Sequence, residues 1–111
     1  MDITFSSTKQ EKVFNSAKEL NRVYGELRAK AIMKRIAQLS AADNLENLRN
    51  APGRCHLLKG NLSQTFSLDL DGPYRLLFES TDDPLPQLED GTIDWNQIAS
   101  VKVLEVRDTH E

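Results

Sequence analysis

A chain of 111 residues, 39% of them apolar, is long enough for one ordinary core and needs no covalent staples. One cysteine excludes an intramolecular disulfide, the N-terminal stretch lacks the basic and apolar regions of a signal peptide, and no apolar run can span a bilayer; a cytoplasmic, reducing location with no membrane partner is expected. The net charge of −3 argues against generic nucleic-acid binding, but the charge is segregated: residues 22–60 hold eight Lys/Arg against three Asp/Glu, and residues 61–111 hold three against eleven.

Residues 2–5 alternate polar and apolar, with Ile3 and Phe5 on one face, as in a short edge strand. Ser7 with Gln10 three residues on forms a capping box, opening a helix whose apolar face is Val13, Phe14, Ala17 and Leu20. A second helix is predicted from about Tyr24 to Leu39, with Ala29, Ile32, Ile36 and Leu39 inward. Arg28, Lys30, Lys34 and Arg35 then form a solvated face. The tight connection at Arg22–Gly25 makes the pair an αα-hairpin. Asp43 is placed to cap a short turn carrying Leu45 and Leu48, and Pro52-Gly53 breaks the chain.

Past that break the period changes from 3.6 to 2. Strands are predicted at His56–Lys59, Ser63–Leu70, Tyr74–Glu79 and Val101–Val106. Thr81–Gly91, rich in Asp and Pro, reads as a surface loop, and Asp94 caps a turn with Trp95 and Ile98. Parity fixes the central hairpin. With Asp71-Gly72-Pro73 as a three-residue loop, Leu70 opposes Tyr74, Leu68 opposes Leu76 and Phe66 opposes Phe78, so all apolar residues share one face. A two-residue loop would set Leu68 against Arg75. The favoured register puts Asp69 opposite Arg75. The expected fold is therefore α+β over residues 1–111, an N-terminal helical hairpin packed on a small twisted antiparallel sheet of about four strands.

Arg54, His56, Lys59 and Arg75 fall on adjacent short strands of that sheet, and His110 lies just past the last one. RNA is cut without a metal when a base activates the ribose 2′-OH, an acid protonates the leaving 5′-oxygen and cations stabilise the phosphorane. His, Arg and Lys suit those tasks. Plainer roles exist for each: a cross-strand pair with Asp69 for Arg75, a turn lysine for Lys59, a half-buried strand residue for His56 and a frayed end for His110. Cys55 reads as an inert small residue, and two distant histidines without a cysteine cluster lead us to expect neither metal nor cofactor.

The runs Gly53–Gly60 and Asp69–Phe78, with the closing Val103–His110, resemble the plasmid-maintenance killer proteins, the HigB-like branch of the RelE/ParE toxin superfamily. The resemblance implies a RelE-like fold and a type II toxin, a ribosome-dependent mRNA endoribonuclease. It also implies a cognate helix-turn-helix antitoxin that neutralises the toxin in a hetero-oligomer. His110 resembles the C-terminal catalytic histidine and Asp108 the acidic residue that orients it. His56 matches a second acid/base or substrate contact, and Lys59 and Arg75 match positions that bind or stabilise the phosphate, with Arg54 an additional contact. Thr109 departs from the pattern, standing where the family often has an aromatic residue. The ParE side of the superfamily offers a non-enzymatic alternative, inhibition of DNA gyrase, and the acidic C-terminal half suggests an inactive toxin-derived binding module.

Overall fold

The computed structural model describes residues 1–60 and 64–109. Strand β1, Asp2–Phe5, leads into helix α1, Thr8–Phe14, capped as its sequence predicts. The Ser7 hydroxyl accepts from Gln10 N at 3.1 Å, and Gln10 Oε1 accepts from Ser6 N at 2.8 Å. The single helix expected through Leu20 is two. Ser16 is extended (φ −128°) and caps helix α2, Ala17–Tyr24, by accepting from Glu19 N at 3.2 Å. Ser16 and Glu19 have the serine-to-acid spacing that starts a helix, and this local signal overrides the continuous apolar stripe. Gly25, at φ +83°, turns the chain into helix α3, Glu26–Ala41, two residues later than expected. Asn44 rather than Asp43 caps the 3₁₀ turn Leu45–Leu48, in a reciprocal box with Asn47.

The sheet has five strands in the order β1-β5-β4-β3-β2, where β2 is His56–Leu57, β3 Phe66–Asp69, β4 Tyr74–Ser80 and β5 Ser100–Asp108. It is mixed rather than wholly antiparallel: β1 is the fifth strand and runs parallel to β5. Parallel neighbours need a long intervening connection, and nearly the whole chain lies between these two. The strand expected at His56–Lys59 is only two residues long, and the predicted start of β3 at Ser63 lies outside the described residues. The hairpin register matches parity: Phe66 pairs with Phe78, Leu68 with Leu76 and Asp69 with Arg75, and Leu70 N donates to Tyr74 O at 3.0 Å.

One sheet face is the core. Phe66, Leu68, Leu76, Phe78, Val101 and Val103 bury completely, together with Leu20, Ala29, Ile32 and Leu39 of the helices. Each large apolar side chain removed from water contributes about 1.5–3 kcal/mol. Trp95 stands edge-on to Phe66 (centroids 5.0 Å apart) and Ile98 is buried, so the long segment after β4 closes over the sheet. A bulge at Leu104 interrupts the β4–β5 register: Leu77 pairs with Glu105 but Phe78 with Val103. The loosened carbonyls are satisfied by the start of α1, with Gln10 Nε2 donating to Leu104 O at 2.9 Å and Ser6 Oγ to Val103 O at 2.7 Å. Among the described residues no helix is long and apolar enough to cross a membrane.

Candidate functional site

The opposite face of the sheet carries the polar residues. Pairing puts His56 beside Ser67, and sets Asp69, Arg75 and Arg107 in one row across β3, β4 and β5. The chain enters this face through Gly53 (φ +107°) and Arg54 (φ +49°). A non-glycine residue in the left-handed region costs about 1–2 kcal/mol, and here the surrounding bonds hold it. Gly53 O accepts from Asp69 N at 2.7 Å, and the Arg54 guanidinium folds onto the Asp69 carboxylate, Nε to Oδ2 at 2.6 Å and Nη2 to Oδ1 at 3.3 Å.

Arg75 reaches the same carboxylate from β4, Nε to Oδ1 at 2.9 Å. Its Nη1 also donates to Gly72 O at 3.0 Å and Tyr74 O at 2.9 Å. The expected Asp69–Arg75 pair is present, and Arg54 joins it. One carboxylate thus organises two guanidinium groups from different elements. Its hydrogen bond and charge raise the pKa of Arg54 further, so that group stays cationic.

His56 is exposed, and its Nδ1 lies 2.8 Å from Arg54 O. A carbonyl oxygen can only accept, so Nδ1 is the donor in this bond and Nε2 is the ring nitrogen not used by it. His56 sits diagonally across from the Asp69–Arg75 row, roughly 10 Å from the β4 backbone at two strand spacings. Lys59 is exposed, two residues past β2. Cys55, between Arg54 and His56, points inward; burial pushes its thiol up to about 12.

The end of β5 comes to the same hairpin. Asp108 is exposed and pairs with Tyr74, and Thr109 donates from both N (2.9 Å) and Oγ1 (2.8 Å) to Pro73 O. The residue that departs from the aromatic pattern therefore straps the end of β5 to the β3–β4 turn. His110 lies outside the described residues. Arg107, which sequence reasoning missed, faces outward opposite Arg75 and forks onto Glu105 at 2.9 and 3.2 Å. The doublet Val103-Leu104 was its signal, because two adjacent apolar residues in an alternating strand mark the parity change of a bulge.

The basic face of α3 is only partly solvated, against expectation. Lys30 and Lys34 are exposed, but Arg28 and Arg35, two turns apart on one stripe, lie against the hairpin. Arg28 pairs with Asp71 at 3.3 Å, and Arg35 Nε donates to Asp69 O at 2.8 Å. Among the described residues no group of three His, Cys, Asp or Glu is placed to hold a metal ion.

Residues 4–89 match a family model described as HigB-like toxin, the RelE-like toxin of type II toxin-antitoxin system HigB. Arg54, His56, Lys59 and Arg75 fall inside the match, and β5 falls outside it. Among solved structures, a YoeB/ParE toxin from Agrobacterium tumefaciens is similar across 100% of both chains, with a TM-score of 0.59 and 12% sequence identity. At that identity the likeness shows the fold alone. No curated protein matches.

Proposed function

The chain belongs to the HigB-like toxins, the RelE-like toxins of type II toxin-antitoxin systems, and we propose that it is a ribosome-dependent mRNA endoribonuclease. It acts in the cytoplasm and is neutralised by a cognate helix-turn-helix antitoxin in a hetero-oligomer. The observation that carries this reading is the grouping on one sheet face of two guanidinium groups on a shared carboxylate and an exposed histidine whose Nδ1 is bonded to the Arg54 carbonyl.

In this mechanism Arg54 and Arg75, with Lys59, grip the scissile phosphodiester and stabilise the charge that develops on it. His56 Nε2 takes the proton of the ribose 2′-OH. The O2′–P bond forms as the P–O5′ bond breaks, leaving a 2′,3′-cyclic phosphate, and His110, oriented by Asp108, gives a proton to O5′. Thr109, next to His110 in sequence, supports this role, since its two bonds to Pro73 O hold it at the turn that precedes Arg75.

Primer extension on translated mRNA after induction tests the reading. Discrete new 5′ ends are expected with the parent chain and none with His110→Ala. Absence of cleavage by the parent chain, with inhibition of gyrase supercoiling, would instead establish the non-enzymatic alternative.

A further inference from the structure

We propose that the Asp69 carboxylate occupies the place of an RNA phosphate, and that RNA binds by displacing it from Arg54 and Arg75. The proposal rests on the reading that these two arginines grip the phosphodiester. Both oxygens of Asp69 are engaged, Oδ2 by Arg54 Nε, and Oδ1 by Arg54 Nη2 and Arg75 Nε. This is the fork a phosphodiester's two non-bridging oxygens would take. Neither of the nearby acids is shared by two arginines: Glu105 takes its fork from Arg107 alone, beside it on β5, and Asp71 engages Arg28 on the helix side.

The backbone of Asp69 is pinned at both ends, its N–H on Gly53 O and its carbonyl under Arg35 Nε. Side-chain rotation alone can therefore release the arginines, and no strand has to open. The Arg54 side chain is 67% exposed, against 20% for Arg75 and 24% for Asp69, so the phosphate enters from the Arg54 side. With Asp69 in place the pair presents one net positive charge; once the carboxylate swings out it presents two. Asp69 is thus a positioning residue that keeps two cations pre-oriented at the expense of affinity.

The test is binding of a fluorescent, 2′-O-methylated single-stranded RNA, which cannot be cleaved, measured from low to moderate salt. Asp69→Asn keeps both backbone bonds and should tighten binding about tenfold, the effect of one unit charge a few Å from a phosphate at a half-solvated site. Its salt dependence should steepen by up to about 0.7 in slope, because no displaced carboxylate takes up a cation on binding. Asp69→Ala should gain similarly, whereas Asp71→Asn, which removes one charge from the same hairpin, should match the parent slope. Unchanged or weaker binding by folded Asp69→Asn and Asp69→Ala, while Arg54→Ala/Arg75→Ala loses binding, overturns the role of Asp69 and leaves the arginine site standing. Parent-like binding by the double arginine variant overturns both.

Discussion

Arg28 sits over the Tyr74 ring, its Cζ 3.4 Å from the ring centroid, while its Nε reaches Asp71 Oδ1 at 3.3 Å. Helix α3 thereby holds both ends of the three-residue turn between β3 and β4. That turn sets the pairing of Asp69 with Arg75, and its Pro73 carbonyl receives Thr109. A contact made on the helical side of the sheet thus fixes side chains presented on the other.

Arg28→Ala should cost about 2 kcal/mol, combining a partly desolvated cation–π contact with a half-buried ion pair. For a chain of this size that lowers the thermal midpoint by roughly 8 °C. Arg28→Lys keeps the charge but not the planar stacking, and should recover about half the loss. Unfolding of Arg28→Ala at the parent midpoint would show that the helix does not clamp the hairpin.

Gly53 is the glycine whose replacement should hurt most. Its φ of +107° disfavours any side chain, and an added Cβ would lie 3.0 Å from Arg35 Nε and 3.1 Å from Leu68 Cδ2. Leu68 is fully buried and has nowhere to move. Gly53→Ala should therefore destabilise by about 2–4 kcal/mol, the sum of backbone strain and overpacking. Gly72→Ala, at φ +52° with nothing within 4 Å of the new Cβ, should cost only about 1 kcal/mol. Urea midpoints measure the difference; equal costs would mean that Arg35 and Leu68 yield freely.

These two cases mark what the chain reveals before it folds. The hairpin register was legible because apolar parity and turn length constrain each other locally. The break at Ser16 is masked by the continuous stripe that Val13, Phe14 and Leu20 make across it, although Ser16 and Glu19 signal a new helix. The parallel pairing of β1 with β5 has no local signature, since the partners stand at opposite ends of the sequence. For the site, Arg75 opposite Asp69 could be read from register. Arg54 joins them through two left-handed residues and a bond between Gly53 and Asp69, which only tertiary structure creates. Arg35 looked solvated for the same reason: its acceptor is a backbone carbonyl that no pattern of side chains discloses.

Cys55 supplies a pH dependence with a definite sign. Burial raises its thiol from 9.0 to about 12, with the Arg49 charge opposing. Below pH 9 the thiol is neutral in both the folded and unfolded chain, and its full contribution is present. Above pH 9 only the unfolded chain loses the proton, so stability falls with rising pH until the folded value is reached, by up to about 1.4 kcal/mol per pH unit. Cys55→Ala starts less stable because of the vacated volume but lacks this slope. The stability gap between parent and variant should narrow from pH 9 to 10.5 in urea titrations; a constant gap would contradict the raised value.

Arg75→Lys separates charge from geometry at the proposed site. The guanidinium of Arg75 acts in two directions at once, with Nε on the Asp69 carboxylate and Nη1 on the carbonyls of Gly72 and Tyr74. A lysine ammonium is a single point on a flexible stem and cannot hold the two carbonyls while also facing the carboxylate or the phosphate that replaces it. Stability should drop by only about 1 kcal/mol, the net value of the lost hydrogen bonds. Cleavage of ribosome-bound mRNA should fall roughly 10- to 100-fold, since a fork aimed at the phosphorane contributes about 1–3 kcal/mol that an ammonium does not reproduce. The comparison is made at a temperature where parent and variant are both fully folded. Parent-level cleavage by Arg75→Lys would reduce Arg75 to a positive charge near the RNA and shift the burden of phosphate recognition to Arg54 and Lys59.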